Sequence, residues 1–160
     1  MNKETEETID GIVSILKQDN EDLLKEFPSI KLPLILTTYK EMDLLAVEKK
    51  YNIRIPKTHR DFIEMYSPER FHIMFTDIYG IYSLEKELES YIPDELLKEG
   101  YLPFAGSDGN YYCLSMESDD DRVYFFDHEE YNISKSRLNF GSFFKDLLTA
   151  KVELDKKNSM

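Results

Sequence analysis

The stretch over residues 101–132, YLPFAGSDGNYYCLSMESDDDRVYFFDHEEYN, most constrains what this chain can fold into. It sets two amphipathic runs on either side of an acidic turn. Leu102-Pro103-Phe104-Ala105 leads into turn chemistry at Gly106-Ser107-Asp108-Gly109-Asn110, where glycine supplies the positive φ that tight turns need. A strand over 111–116 follows; Asp119-Asp120-Asp121 then reverses the chain into a second strand over 123–126, which ends in Asp127-His128-Glu129-Glu130. Two aromatic, apolar runs separated by a few turn residues predict a hairpin. Along its first strand Tyr112, Leu114 and Met116 share one face and are expected in the core, with Tyr111, Cys113 and Ser115 on the other. Tyr111 is expected to be exposed beside the acidic turn, where tyrosine among carboxylates suits a basic, partly apolar partner.

A chain of 160 residues fits one domain with a sizeable core. Its single cysteine, Cys113, cannot form an internal disulfide and is expected to be a small buried thiol in a reducing compartment. The opening MNKETEETID is too charged for a secretory signal, and no apolar run approaches the ~20 residues of a membrane helix. A soluble, cytoplasmic protein with no membrane partner is expected. The net charge of -12 is unevenly placed: residues 1–26 carry eight acids against three bases, and residues 117–130 seven acids against one. Residues 131–160 reverse the balance, with six bases against three acids. A concentrated negative field repels nucleic acid and attracts basic proteins, so direct nucleic-acid binding is not expected.

Along the chain, Ile9, Ile12, Val13 and Leu16 form a helical stripe, with a second short helix expected over 21–26 and an apolar connector over 29–36. Thr38 and Glu41 make a capping-box pattern for a helix to residue 50 with Met42, Leu45 and Ala46 inward. A helix from Thr58 places Phe62, Ile63 and Tyr66 inward and stops at Ser67-Pro68. Short strands are expected over 71–75 and 78–83 with Asp77 between them, then helices over 84–91 and 94–99. Residues 132–136 read as a polar loop. The closing helix over 140–148, capped by Asn139, turns Phe140, Phe143, Phe144, Leu147 and Leu148 inward, and residues 151–160 lack an apolar stripe and are expected to fray. This order predicts an α+β single domain whose largely antiparallel sheet is packed by helices.

Catalytic and metal chemistry find little support. His59, His72 and His128 are far apart in sequence, and the neighbours Asp127, His128 and Glu129 alternate across a strand rather than converging on one ion. Asp119-Asp120-Asp121 lacks the ligand spacing of a calcium loop, and no nucleophile elbow or Walker loop occurs. Carboxylates are plentiful, but no spacing among them favours a glycosidase pair. No metal, cofactor or catalytic residue is expected.

Four pieces, in order, resemble a known family: the helix-to-turn segment Leu45-Ala46-Val47-Glu48-Lys49-Lys50-Tyr51-Asn52-Ile53-Arg54-Ile55-Pro56; the helix Thr58-His59-Arg60-Asp61-Phe62-Ile63; Leu102-Pro103-Phe104-Ala105 through Gly109-Asn110-Tyr111-Tyr112-Cys113-Leu114; and Val123-Tyr124-Phe125-Phe126-Asp127-His128-Glu129 with the later Ser142-Phe143. The chain resembles the SUKH superfamily, the Smi/Knr-type domains, over residues 42–148. It departs from that pattern at Ser67-Pro68-Glu69-Arg70, where a glycine-containing turn is usual. The resemblance implies a SUKH-like domain over 37–150 with an N-terminal helical extension over 1–36 packed on it. It also implies a non-enzymatic immunity protein, an antitoxin that neutralises a cognate toxin domain, a basic nuclease being the expected target. The alternative is a regulatory or scaffold domain with no toxin partner. On either reading the expected partner-binding residues are Asp119, Asp120, Asp121, Asp127, Glu129 and Glu130, with Tyr111 as an anchor.

Overall fold

The structure of the chain, a computed structural model, describes residues 1–38 and 41–159. Its elements, in order, are α1 (Lys3–Glu26), β1 (Leu34–Leu36), α2 (Glu41–Tyr51), α3 (Lys57–Tyr66), β2 (Pro68–Ile73), β3 (Thr76–Ile78), α4 (Ile81–Ser90), α5 (Asp94–Lys98), β4 (Tyr101–Ser107), β5 (Asn110–Ser115), β6 (Arg122–Asp127), β7 (Asn132–Asn139) and α6 (Phe140–Asn158). The strands form one seven-stranded sheet in sequence order, every neighbouring pair antiparallel. The expected α+β architecture is therefore present, and the predicted hairpin is the β5–β6 pair, with Tyr111 opposite Phe126 and Cys113 opposite Tyr124.

Helices cover both faces of this sheet. Adjacent strand residues point to opposite faces, and the Tyr112 ring lies 4.9 Å from Phe143 of α6 while the Tyr111 hydroxyl donates to Glu87 Oε2 of α4 at 3.0 Å. On the α6 face Phe62 of α3 is fully buried, with ring centroids 5.5 Å from Tyr66 and Phe71, 5.7 Å from Phe144 and 6.3 Å from Phe140. Each such ring contributes about 1.5 to 3 kcal/mol through burial, so this aromatic cluster is a principal source of stability. The stripe Ile9, Ile12, Val13 and Leu16 of α1 is buried as its spacing predicts. Helices α1 and α6 pack together in the same direction, with Glu4 paired to Lys145 at 3.9 Å and Asp19 to Lys151 at 2.8 Å.

Several local expectations change. The first helix is continuous to Glu26, and Asn20 on it brackets Leu34, donating to its carbonyl at 2.8 Å and accepting from its amide at 3.4 Å. Residues 34–36 are thereby held as an edge strand and are not a bare connector. In α2 the inward residues are Leu44 and Val47; Met42 and Leu45 are 66% and 54% exposed, and Ala46 is exposed too. Apolar residues lie on more than one side of this helix, and ion pairs from Glu48 to Arg60 and from Lys50 to Glu85 and Glu89 link it to α3 and α4. The Thr38 capping pattern spans residues 39 and 40, outside the described residues.

The β2–β3 turn is at Met74-Phe75 rather than Asp77, which lies in β3 opposite His72. Both turn residues have positive φ, 49° and 62°, as a two-residue type I′ hairpin requires. Helix α4 begins at Ile81, where the Gly80 amide donates to Ser83 Oγ at 2.9 Å, so the expected 78–83 strand stops at Ile78. Residues 132–136, read as a loop, belong to β7, an edge strand exposed along most of its length. Helix α6 runs on to Asn158, so the stretch 151–158 is helical and not frayed; Lys151 pairs with both Asp19 and Asp155. Its expected cap holds: the Ser142 amide donates to Asn139 Oδ1 at 2.9 Å.

Candidate partner-binding face

The two acidic clusters singled out by sequence lie at opposite ends of β6. Five strand residues lie between Asp121 and Asp127, a separation of about 20 Å, more than two screening lengths at physiological salt, so the clusters act as two local fields and not as one patch. At the first end, the Asp119 carboxylate pairs with Arg54, Asp120 Oδ1 accepts from the Arg122 amide at 3.0 Å, and the Asp121 carbonyl accepts from the Phe140 amide at 2.8 Å. These three residues line a cleft of about 300 Å³ with Met1, Lys57, Thr58 and Phe140. The amino ends of α1, α3 and α6 all open there. Helix amino termini carry partial positive charge and favour carboxylates beside them. Arg54 pairs with Asp119, whereas Lys57 and the Met1 ammonium in the same cleft are taken by Asp61 at 3.0 and 2.8 Å, and the Asp121 carbonyl ties the triplet to the start of α6.

At the other end the arrangement is different. Asp127 Oδ1 accepts from the Glu129 and Glu130 amides at 2.9 and 3.4 Å, which turns the chain and leaves the Glu129 and Glu130 side chains exposed. Tyr131 follows with φ 56° and 55% exposure; its hydroxyl donates to Glu95 Oε2 of α5 at 3.0 Å. Its own backbone N–H and the Tyr131 hydroxyl hold the Glu95 carboxyl below the usual carboxylate range. The Tyr131 ring meets Phe126 edge-on at 5.3 Å, and Phe126 lies 6.3 Å from Tyr111. A continuous strip thus runs from Glu95 through Tyr131, Phe126 and Tyr111 to Glu87.

Tyr111 is the one expected site residue whose surroundings differ outright. It is 6% exposed and forms the floor of the strip rather than an exposed anchor. Burial, with the Glu87 carboxylate beside it, pushes its phenol above the ordinary range, so it remains a hydrogen-bond donor. The projecting aromatics are instead Tyr131, Tyr91 at 64% exposure and Phe75 at 79%. Tyr91 and Phe75 border a cleft of about 460 Å³ whose walls include Asp77, Glu87, Asp108 and Tyr111. The Asp108-Gly109 turn shapes its rim: both residues have positive φ, 52° and 84°, and a side chain added at Gly109 would press on the His128 ring at 3.3 Å. His128 is itself fixed by Asn110 Oδ1 at 2.7 Å. Sequence reasoning missed Phe75, Tyr91, Glu87 and Glu95, because only the tertiary fold brings α4, α5 and the β2–β3 turn beside β6. Tyr131 had a signal, an aromatic directly after an acidic run.

Among the described residues, no group of three or more His, Cys, Asp or Glu side chains is placed to hold a metal ion. Cys113 is buried, and burial pushes its thiol well above the ordinary range, which opposes thiolate formation. His59 is fully buried, and His72 is engaged with Asp77 at 2.8 Å. No described helix is long and apolar enough to cross a membrane. The chemistry on offer at the strip is recognition through carboxylates and tyrosines. No curated protein and no solved structure matches the chain. The sequence does match the SMI1 / KNR4 family (SUKH-1) over residues 39–146, from the start of α2 into α6. A match over that much of the chain, together with the α+β fold and its antiparallel sheet, means that the chain belongs to the SMI1 / KNR4 family (SUKH-1).

Proposed function

We propose that this chain is a non-enzymatic immunity protein that binds a basic toxin domain, a nuclease being the expected target, and neutralises it by occlusion. Family membership supports a protein-binding role. The observation that carries the reading further is the strip at the Asp127 end of β6. Exposed Glu129 and Glu130 and the Glu95–Tyr131 pair frame projecting aromatic rings, and among the described residues none of these carboxylates makes an ion pair like that of Asp119 with Arg54. Carboxylates arranged this way accelerate encounter with a basic surface, and tyrosines supply desolvated contact area once it docks. The Asp119–Asp121 end contributes a weaker, more distant attraction.

The test is identification of the neighbouring gene and, where it encodes a toxin domain, co-expression with that domain. The wild-type chain is expected to protect cells and form a stable complex. Charge reversal at the strip (Asp127→Lys, Glu129→Lys and Glu130→Lys together) is expected to slow association at least tenfold, and Tyr131→Ala to speed dissociation. Undiminished protection and unchanged rates in both variants would place the interface elsewhere. Binding to a host regulator in place of any toxin would favour the scaffold alternative.

A further inference from the structure

A cleft of about 510 Å³ lies where the carboxyl-terminal turns of α1 and α6 approach the β2–β3 hairpin. Leu16, Leu23, Ile73, Met74 and Leu154 give it apolar walls. Between its lining residues Leu23 and Lys31 in the chain, Phe27 and Ile30 remain 53% and 40% exposed. An apolar hollow of this size beside further uncovered apolar residues is characteristic of an interaction site.

The charges around it are unequally matched. Lys151 is engaged by Asp19 and Asp155, Asp22 accepts from Gln18, and His72 is held by Asp77. Lys31 and Arg70 also line the cleft, and among the described residues neither makes an ion pair. Arg70 Nε is buried without an acceptor, an uncommon state for a buried donor. The same two cations border the adjoining cleft of about 310 Å³, so they stand where the two meet. That second cleft shares Asp77, Tyr79 and Glu87 with the 460 Å³ cleft beneath the acidic strip. The three clefts thus succeed one another around the β2–β3 hairpin, with Lys31 and Arg70 where the first two meet and Asp77, Glu87 and Asp108 lining the third.

We propose that the Arg70 cleft docks an extended segment of a protein partner that carries apolar side chains next to a carboxylate. The apolar groups fill the hollow, and the carboxylate takes the planar fork of Arg70, with Lys31 adding charge. A run of successive clefts suits an extended chain better than a compact small molecule, and the order of these charges gives that chain a direction. The inference does not depend on the partner being a toxin.

The probe is the blocked peptide acetyl-Leu-Phe-Glu-Leu-amide, titrated into the full chain while amide chemical shifts are followed, with its Gln analogue as control. Shifts centred on Leu23, Arg70, Met74 and Leu154, and binding at least tenfold weaker for the Gln peptide, are expected. Arg70→Gln should abolish that preference. If Arg70→Gln fails to fold, Lys31→Ala, at an exposed position, should reduce it severalfold. Equal binding of the two peptides, or shifts centred elsewhere, would overturn the proposal. So would saturable binding of decanoate with no peptide binding, which would assign the cleft to a free amphiphile. Concentration-dependent dimerisation abolished by Leu154→Ser would assign it to a second copy of the chain.

Discussion

Lowering the pH should weaken this fold through one imidazole, that of His59. The residue sits on α3 with no exposed surface; its Nε2 is 2.7 Å from the Tyr79 carbonyl, and its ring packs edge-on to Phe104 at 6.3 Å. A carbonyl can only accept, so Nε2 carries the proton and Nδ1 is bare, and Nδ1 has no partner. Protonation would force a second N–H, and a charge, into a site with nothing to receive it. Burial accordingly lowers the pKa to about 4 from an ordinary 6.5, against a smaller opposing effect of the Tyr79 carbonyl. The unfolded chain therefore binds the proton more readily than the folded one. Stability from this group is complete above about pH 6.5 and is lost as pH falls towards 4, roughly 3 kcal/mol in all. The chain's isoelectric point near 4.7 makes pH 5.5 the practical lower limit; between pH 7.5 and 5.5 the expected loss is about 1 kcal/mol. Carboxylates titrate too, so the comparison is between wild type and His59→Gln, whose amide can still donate to Tyr79 but does not titrate. Urea unfolding followed by circular dichroism should show the variant less stable at pH 7.5, with the gap closing by about 1 kcal/mol at pH 5.5. Parallel pH profiles for the two proteins would refute the reasoning.

Three further outcomes can be checked in the same assay. Phe62→Ala should cost about 3 to 5 kcal/mol, because four aromatic rings lose their shared partner, whereas Met42→Ser and Leu45→Ser should each stay within about 0.5 kcal/mol. Replacing the Met74-Phe75 turn by Asn-Gly should raise stability by about 1 to 2 kcal/mol, since two bulky residues there hold positive φ; melting temperature checks this, and partner binding should weaken as Phe75 is lost. Changing Asp119, Asp120 and Asp121 together to Asn should destabilise the fold by about 1 kcal/mol or more, through the Arg54 pair and the helix amino termini, and should affect association less than charge reversal at Asp127, Glu129 and Glu130.

Those contrasts show where sequence was a sufficient guide. The stripe of α1 and the Phe143–Phe144 face of α6 were legible because each helix buries one side only. In α2 apolar residues circle the axis, and which of them pack into the core, Leu44 and Val47, depends on tertiary neighbours that a single sequence does not display. Tyr111 was misplaced for a related reason. Alternation separates inside from outside only when one face of a sheet meets water, and β5 is covered by α6 on one face and α4 on the other. Strand β7, half-exposed and rich in serine and cations, lacks the apolar alternation that marks a strand. The acidic clusters were visible as composition, but their separation along β6 and the cations around one of them belong to the fold.

Finally, the clasp of α1 on α6 bears on how the chain is made. Most of the sheet joins strands to their neighbours in sequence, contacts that close short loops and form early. Glu4 can meet Lys145, and Asp19 can meet Lys151, only when the last helix exists. During synthesis the stripe Ile9, Ile12, Val13 and Leu16 must wait on the order of 10 s for its cover at ordinary elongation rates. The α1 stripe is thus made before the rest of this domain yet is among the last of its parts to be covered, and until then it is the apolar surface most open to misassociation.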